Sequence, residues 1–185
     1  MKAVYSLVLL LLPLAGTAQQ VTFIAADSTF EKATREYREI WAADGEHIVA
    51  TLKTLSGMTL PDAALVAYIK EAPSYSGWKE KPMVLRASYS REIKKGALIH
   101  ELGHRFHESL QTLPANSNEH ELLFLYLYDA FVMLGGKDFA DRMVSAERTR
   151  SNPANNYSAM WDAALSLTKE QRQEKLRLIL ENHQN

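Results

Sequence analysis

His100, Glu101, Leu102, Gly103 and His104 set two imidazoles four residues apart, with a carboxylate next to the first. On a helix, residues i and i+4 share one face a single turn apart. That spacing lets both ring nitrogens reach one Zn²⁺ at about 2.0–2.1 Å. Glu101 is then angled toward the open coordination position, where it can take a proton from a water acidified by the metal. His100 and His104 are therefore the first two expected zinc ligands, and Glu101 is the expected catalytic base. A closed structural zinc site has no need of such a base.

The run needs a helix with a burial face. Ala97, Leu98, Ile99 and Leu102 supply an apolar back, Ser90 is a suitable N-cap, no proline interrupts residues 91–111, and Pro114 ends the stretch. Gly103 costs about 1 kcal/mol relative to alanine inside a helix. A glycine between the two histidines is explained if another segment of the chain packs close against it.

A third donor must come from elsewhere, because a catalytic zinc keeps one position for water. His107 is poorly placed: on a continuous helix it lies about 10.5 Å along the axis from His100. It is expected at the surface, or touching a ligand rather than the metal. Residues 116–121, Asn-Ser-Asn-Glu-His-Glu, combine capping residues with three donors, just before the apolar run Leu122 to Leu127. The expected helix there ends at Gly135-Gly136 and is apolar nearly all round, so its first turn sits at the edge of a core. His120 is the preferred third ligand, because zinc accepts a neutral imidazole readily. Glu121 and Glu119 remain alternatives, either as ligands or as acceptors that orient the imidazoles. Asp129, inside the same apolar helix, needs a partner: a ligand imidazole or, preferably, an arginine.

Residues 97–106 resemble the signature of the zincin metallopeptidases over the active-site helix. The resemblance implies an α+β fold: a small N-terminal mixed sheet with helices, the active-site helix, then a mostly helical C-terminal part. It also implies an edge strand above the cleft that pairs with an extended substrate, for which Met83 to Ser88 is the expected segment. The metzincin extension does not fit, since position 107 is His and position 110 is Leu. Some zincins draw a distant third His at a spacing similar to that of His104 and His120. Glu119 after Asn118 resembles the gluzincin third-ligand pair, but position 123 is Leu where an Asp is usual. Tyr157 is a candidate oxyanion stabiliser, as Tyr or His is in many zincins; the alternative is a core or surface tyrosine. The activity implied is hydrolysis of a peptide or protein substrate. A catalytically inactive zincin-like binding or scaffold protein, and a zinc hydrolase of a non-peptide bond, are the alternatives.

The N-terminus carries Lys2, an apolar stretch from Ala3 to Ala15, and Gly16-Thr17-Ala18. This reads as a signal peptide at residues 1–18, with residues 19–185 as a single exported domain, periplasmic or secreted. Pro13 and Gly16 interrupt the stretch, so no stable membrane association is expected. The chain has no cysteine, so it must rely on its core or on a metal. Its formal charge of −1 and lack of a basic patch give no support to nucleic-acid binding, and a monomer is expected.

Local patterns predict strands at residues 21–25, 64–70 and 83–89. Helices are expected at residues 30–43 and 48–55, with Asp44-Gly45 as a turn between them. Helices are also expected at 137–150 and 157–167, the latter with Trp161 on its apolar face. A capping box at Thr168 to Gln171 opens a last helix to about Asn182. Residues 73–82 and 111–118 are expected loops.

Overall fold

The computed structural model describes residues 21–77, 81–115, 117–150 and 155–184; the expected signal peptide at residues 1–18 lies outside them. The described chain is α+β and mostly helical. Three strands, β1 (Val21–Ala25), β2 (Leu65–Lys70) and β3 (Met83–Arg86), form one sheet in that order. Six helices accompany it: α1 (Glu31–Ser56), α2 (Arg91–His107), α3 (Glu119–Gly135), α4 (Lys137–Arg148), α5 (Tyr157–Leu165) and α6 (Lys169–Gln184). No helix among the described residues is long and apolar enough to cross a membrane.

The sheet is not the mixed one expected. Val21 pairs with Leu65 and Ala67 with Met83, both in parallel ladders. Among the described residues, the antiparallel pairing is an isolated bridge between Tyr75 and Val84. Parallel pairing of β1 and β2 requires a crossover, and α1 provides it.

The expected turn at Asp44-Gly45 is absent, and α1 runs through it. Tyr37, Ile40, Ile48, Leu52 and Leu55 fall on one helical face, and all are buried. Burying that continuous stripe outweighs the roughly 1 kcal/mol that a helical glycine costs. Gly45 is itself buried under Trp41, and Asp44 pairs with Lys95 of α2 at 3.0 Å.

Helix α2 starts at Ser90, whose hydroxyl accepts from the Ile93 amide, and ends at His107 before a single tighter turn at residues 108–110. Leu98, Ile99, Leu102 and Phe106 are fully buried against the core. Helix α3 packs beside it, and Leu123, Phe124, Leu127 and Phe131 fill the centre. A Cβ on Gly103 would come within 2.4 Å of Leu123 Cδ1, so the glycine does permit close approach of α3. The capping box of α6 forms in both directions: Thr168 N donates to Gln171 Oε1 at 2.8 Å, and Gln171 N to Thr168 Oγ1 at 3.3 Å. Asp129 accepts from Arg172 of α6 at 2.9 and 3.2 Å, the structural pairing expected of a carboxylate in an apolar helix.

Candidate metal centre

The polar face of α2 carries His100, Glu101 and His104 into a cavity of about 500 Å³. Each imidazole is held from behind by a carboxylate. His100 Nδ1 lies 2.8 Å from Glu147 Oε1, and His104 Nδ1 lies 2.8 Å from Glu119 Oε1. A carboxylate accepts, so each Nδ1 carries the proton and each Nε2 presents a lone pair. The two Nε2 atoms face one another at 3.1 Å. Two acceptors at that distance require a cation between them, a proton or a metal. Ligands of one tetrahedral zinc are roughly 3.3 Å apart, close to this separation.

The first turn of α3 brings a third imidazole to the pair. Asn118 caps the helix by accepting from the His120 amide at 2.9 Å. The His120 ring then lies 4.7 Å from that of His104 and 5.5 Å from that of His100. One donor atom from each of the three falls within 4.8 Å of the others, so this group could hold a metal ion. The Tyr157 hydroxyl, on the first turn of α5, lies 3.1 Å from His120 Nε2.

His104, His107 and Glu119 form a second trio within the same 4.8 Å limit. Its 2.8 Å His104–Glu119 contact is a hydrogen bond, which leaves no space for an ion between those atoms. His107 is not at the surface. It is fully buried, with Nε2 3.1 Å from the Tyr126 hydroxyl and Nδ1 3.8 Å from Glu119. It thus belongs behind Glu119, where it touches a partner of His104. Glu121 is exposed, and Asp129 is committed to Arg172.

Burial sets the charge states. It pushes His104 down to about 4, and burial together with the neighbouring His104 and His100 pushes His120 down to about 2. Both therefore keep lone pairs available at neutral pH. Burial also lowers His100, but the Glu147 carboxylate beside it more than offsets this, and the net shift is upward. Glu101, almost fully buried, is raised by burial to about 7. Glu119 would also rise on burial, yet hydrogen bonds from His104 and His107 hold it well below the usual carboxylate range.

The free side of β3 is already covered. Val84 exchanges both backbone hydrogen bonds with Tyr75, at 2.8 and 3.0 Å, and the Arg86 amide donates to Ser74 Oγ at 3.1 Å. The expected edge at Met83 to Ser88 is therefore not open, and the strand itself ends at Arg86. Residues 73–77 form the cavity wall instead. Ser76 Oγ ties this wall to α2 by donating to the Glu101 carbonyl at 2.9 Å.

Glu147 and Arg150 were not singled out in the sequence. Glu147 had a signal: Ala140, Met143, Val144 and Glu147 share one stripe of α4, so a carboxylate stands at a core position. Arg150 lies just beyond α4, where no local pattern marks it. No protein-family model, curated protein or solved structure matches the chain, so the functional reading rests on this geometry and on the local motif.

Proposed function

We propose that this chain is an exported zinc-dependent peptidase, with His100, His104 and His120 as ligands and Glu101 as general base. The observation that carries the reading is the 3.1 Å approach of two Nε2 acceptors whose Nδ1 protons are both committed to carboxylates. Zinc held by these imidazoles would supply a Lewis acid that polarises a carbonyl and acidifies water.

The chain's own residues divide the remaining work. Glu101, raised to about 7 by burial, can accept a proton near neutrality and return it to a leaving amine. Glu147 and Glu119 fix the ring orientations of His100 and His104. The Tyr157 hydroxyl, 3.1 Å from His120 Nε2 and lining the cavity, could donate toward a developing oxyanion.

A peptide substrate is favoured by the cavity wall. In an antiparallel pair, a residue that exchanges both bonds with its partner is flanked by residues whose peptide groups point the other way. Tyr75 is such a residue, so the peptide groups of Ser74 and Ser76 turn away from β3. An extended substrate could add to this segment by backbone hydrogen bonds. A non-catalytic zinc protein is the weaker reading, because it leaves a buried base beside the donors without a role.

Metal analysis of protein purified without a His tag, paired with peptide-library digestion, tests the proposal. One zinc per chain and cleavage that Glu101→Gln lowers by at least about 10²–10⁴-fold are expected. Cleavage that persists in Glu101→Gln would remove the base, and a chain that takes up no zinc would remove the reading.

A further inference from the structure

We propose that Arg150 makes this cavity a receptor for a carboxylate carried by the substrate, either a free chain terminus or an acidic side chain. The inference deepens the peptidase reading and rests on it.

Arg150 lines the cavity together with His100, Glu101 and Tyr157. Its side chain keeps 30% of its exposure, so it is accessible from the cavity. A guanidinium carries five N–H donors and binds a carboxylate through two parallel hydrogen bonds of about 2.7–2.9 Å. Among the described residues, the anion beside Arg150 is Glu147, and the approach is 3.5 Å from Nη2 to Oε1. That oxygen already accepts from His100 Nδ1 at 2.8 Å, and the other accepts from Trp161 Nε1 at 3.0 Å. Glu147 has thus given its short bonds to two other donors. The hydrogen-bonding capacity of Arg150 is largely unspent among the described residues.

The cavity's other guanidinium differs. Arg86 has Glu71 Oε1 at 2.7 Å from its Nε and stacks over Tyr89. Its charge is balanced on the spot, and it does not substitute for Arg150. A single carboxylate oxygen separates Arg150 from the His100 ring. A substrate carboxylate seated there would lie near the group undergoing reaction and would set its register relative to Glu101.

Two small probes of the zinc-loaded protein test this by calorimetry near neutral pH and at low salt. Acetohydroxamate carries a metal-binding group alone, and succinic monohydroxamate adds a carboxylate. The wild type should bind the second at least about 10-fold more tightly, the scale of one charge-assisted bidentate pair. Arg150→Gln should collapse that ratio to about 1, and Arg150→Lys should keep part of it, because lysine offers charge without the planar fork. Equal binding of the two probes by the wild type overturns the proposal and leaves the metal reading standing. So does an Arg150→Gln variant that weakens both probes and zinc alike, since that marks a residue that only neutralises Glu147. Failure of acetohydroxamate to bind removes the metal reading and the proposal with it. Competition by Ala-Ala-Ala, its amide and Ala-Asp-Ala amide then separates the sources. Displacement by the free acid supports a terminus, displacement by the Asp peptide supports a side chain, and displacement by neither overturns the proposal.

Discussion

Glu147 Oε1 accepts from His100 Nδ1 at 2.8 Å across 47 residues of sequence, and both side chains are almost fully buried. The contact fixes the ring's tautomer and its direction. Removing an outer partner of this kind typically weakens metal binding about 10–100-fold. Glu147→Gln should show that loss in competition with a chromophoric chelator, while far-ultraviolet circular dichroism stays at the wild-type signal. Unchanged affinity would make Glu147 a purely structural acid.

The three donors at the start of α3 should separate cleanly. His120→Ala removes the proposed third ligand and should weaken zinc most. Glu119→Ala removes the acceptor of His104 and should cost about 10–100-fold. Glu121→Ala, at an exposed position, should change little. The ranking is read from zinc dissociation constants, and a Glu121 effect as large as that of His120 would reassign the third ligand.

Glu101 also predicts a pH signature in metal-free protein. Its folded carboxyl titrates near 7 because it is buried, against an ordinary value of 4.5. The folded state holds a proton that the unfolded state has lost between those values. Stability from the neutral carboxyl is therefore fully present below about pH 4.5 and is lost as pH rises through about 7. Glutamine does not ionise. Glu101→Gln should gain on the wild type as pH rises, by on the order of 3 kcal/mol above about pH 8. Urea melts of both proteins across this range measure the gap, and a gap independent of pH contradicts it.

Gly103→Ala brings two opposing effects. Helix propensity gains about 1 kcal/mol. The new methyl, however, lands 2.4 Å from Leu123 Cδ1, and overpacking of this kind costs about 1–3 kcal/mol. The net result should be a less stable protein with weaker zinc affinity, because α2 and α3 are pushed apart at the site. Adding Leu123→Ala should recover part of the overpacking cost, which a double-mutant cycle detects. A Gly103→Ala variant more stable than wild type would show that the close approach is no constraint.

What could be read from the sequence was local. The pair at His100 and His104, the donors at the opening of α3 and the Thr168 capping box each depend on spacings within one helix. Asp44-Gly45 was misread because a strong turn dipeptide was weighed without the shared buried face of Tyr37, Ile48 and Leu52. Of the two places expected for His107, the structure takes the buried one beside His104, because its environment is made by Tyr126, 19 residues away. The edge of β3 could not be judged from its own residues, since Tyr75 covers it from the preceding loop. Arg150 acquires meaning only through Glu147, whose own partners lie on α2 and α5.

Those separations bear on the order in which the chain assembles. Contacts spanning 15, 37 and 47 residues converge on the three imidazoles, from α3, α5 and α4. Closing loops of this length precedes any return from the contacts they make. An unfolded chain therefore presents scattered imidazoles and no organised chelate, and an ion is captured tightly only once α4 and α5 have docked. Stabilisation gained that late is absent from the folding transition state, so it acts on escape from the native basin rather than on entry to it. Zinc at about 1,000 times its dissociation constant would contribute about 4 kcal/mol. In a chain without cysteine, that energy works as a latch: chelation would leave the refolding rate nearly untouched and slow unfolding by orders of magnitude.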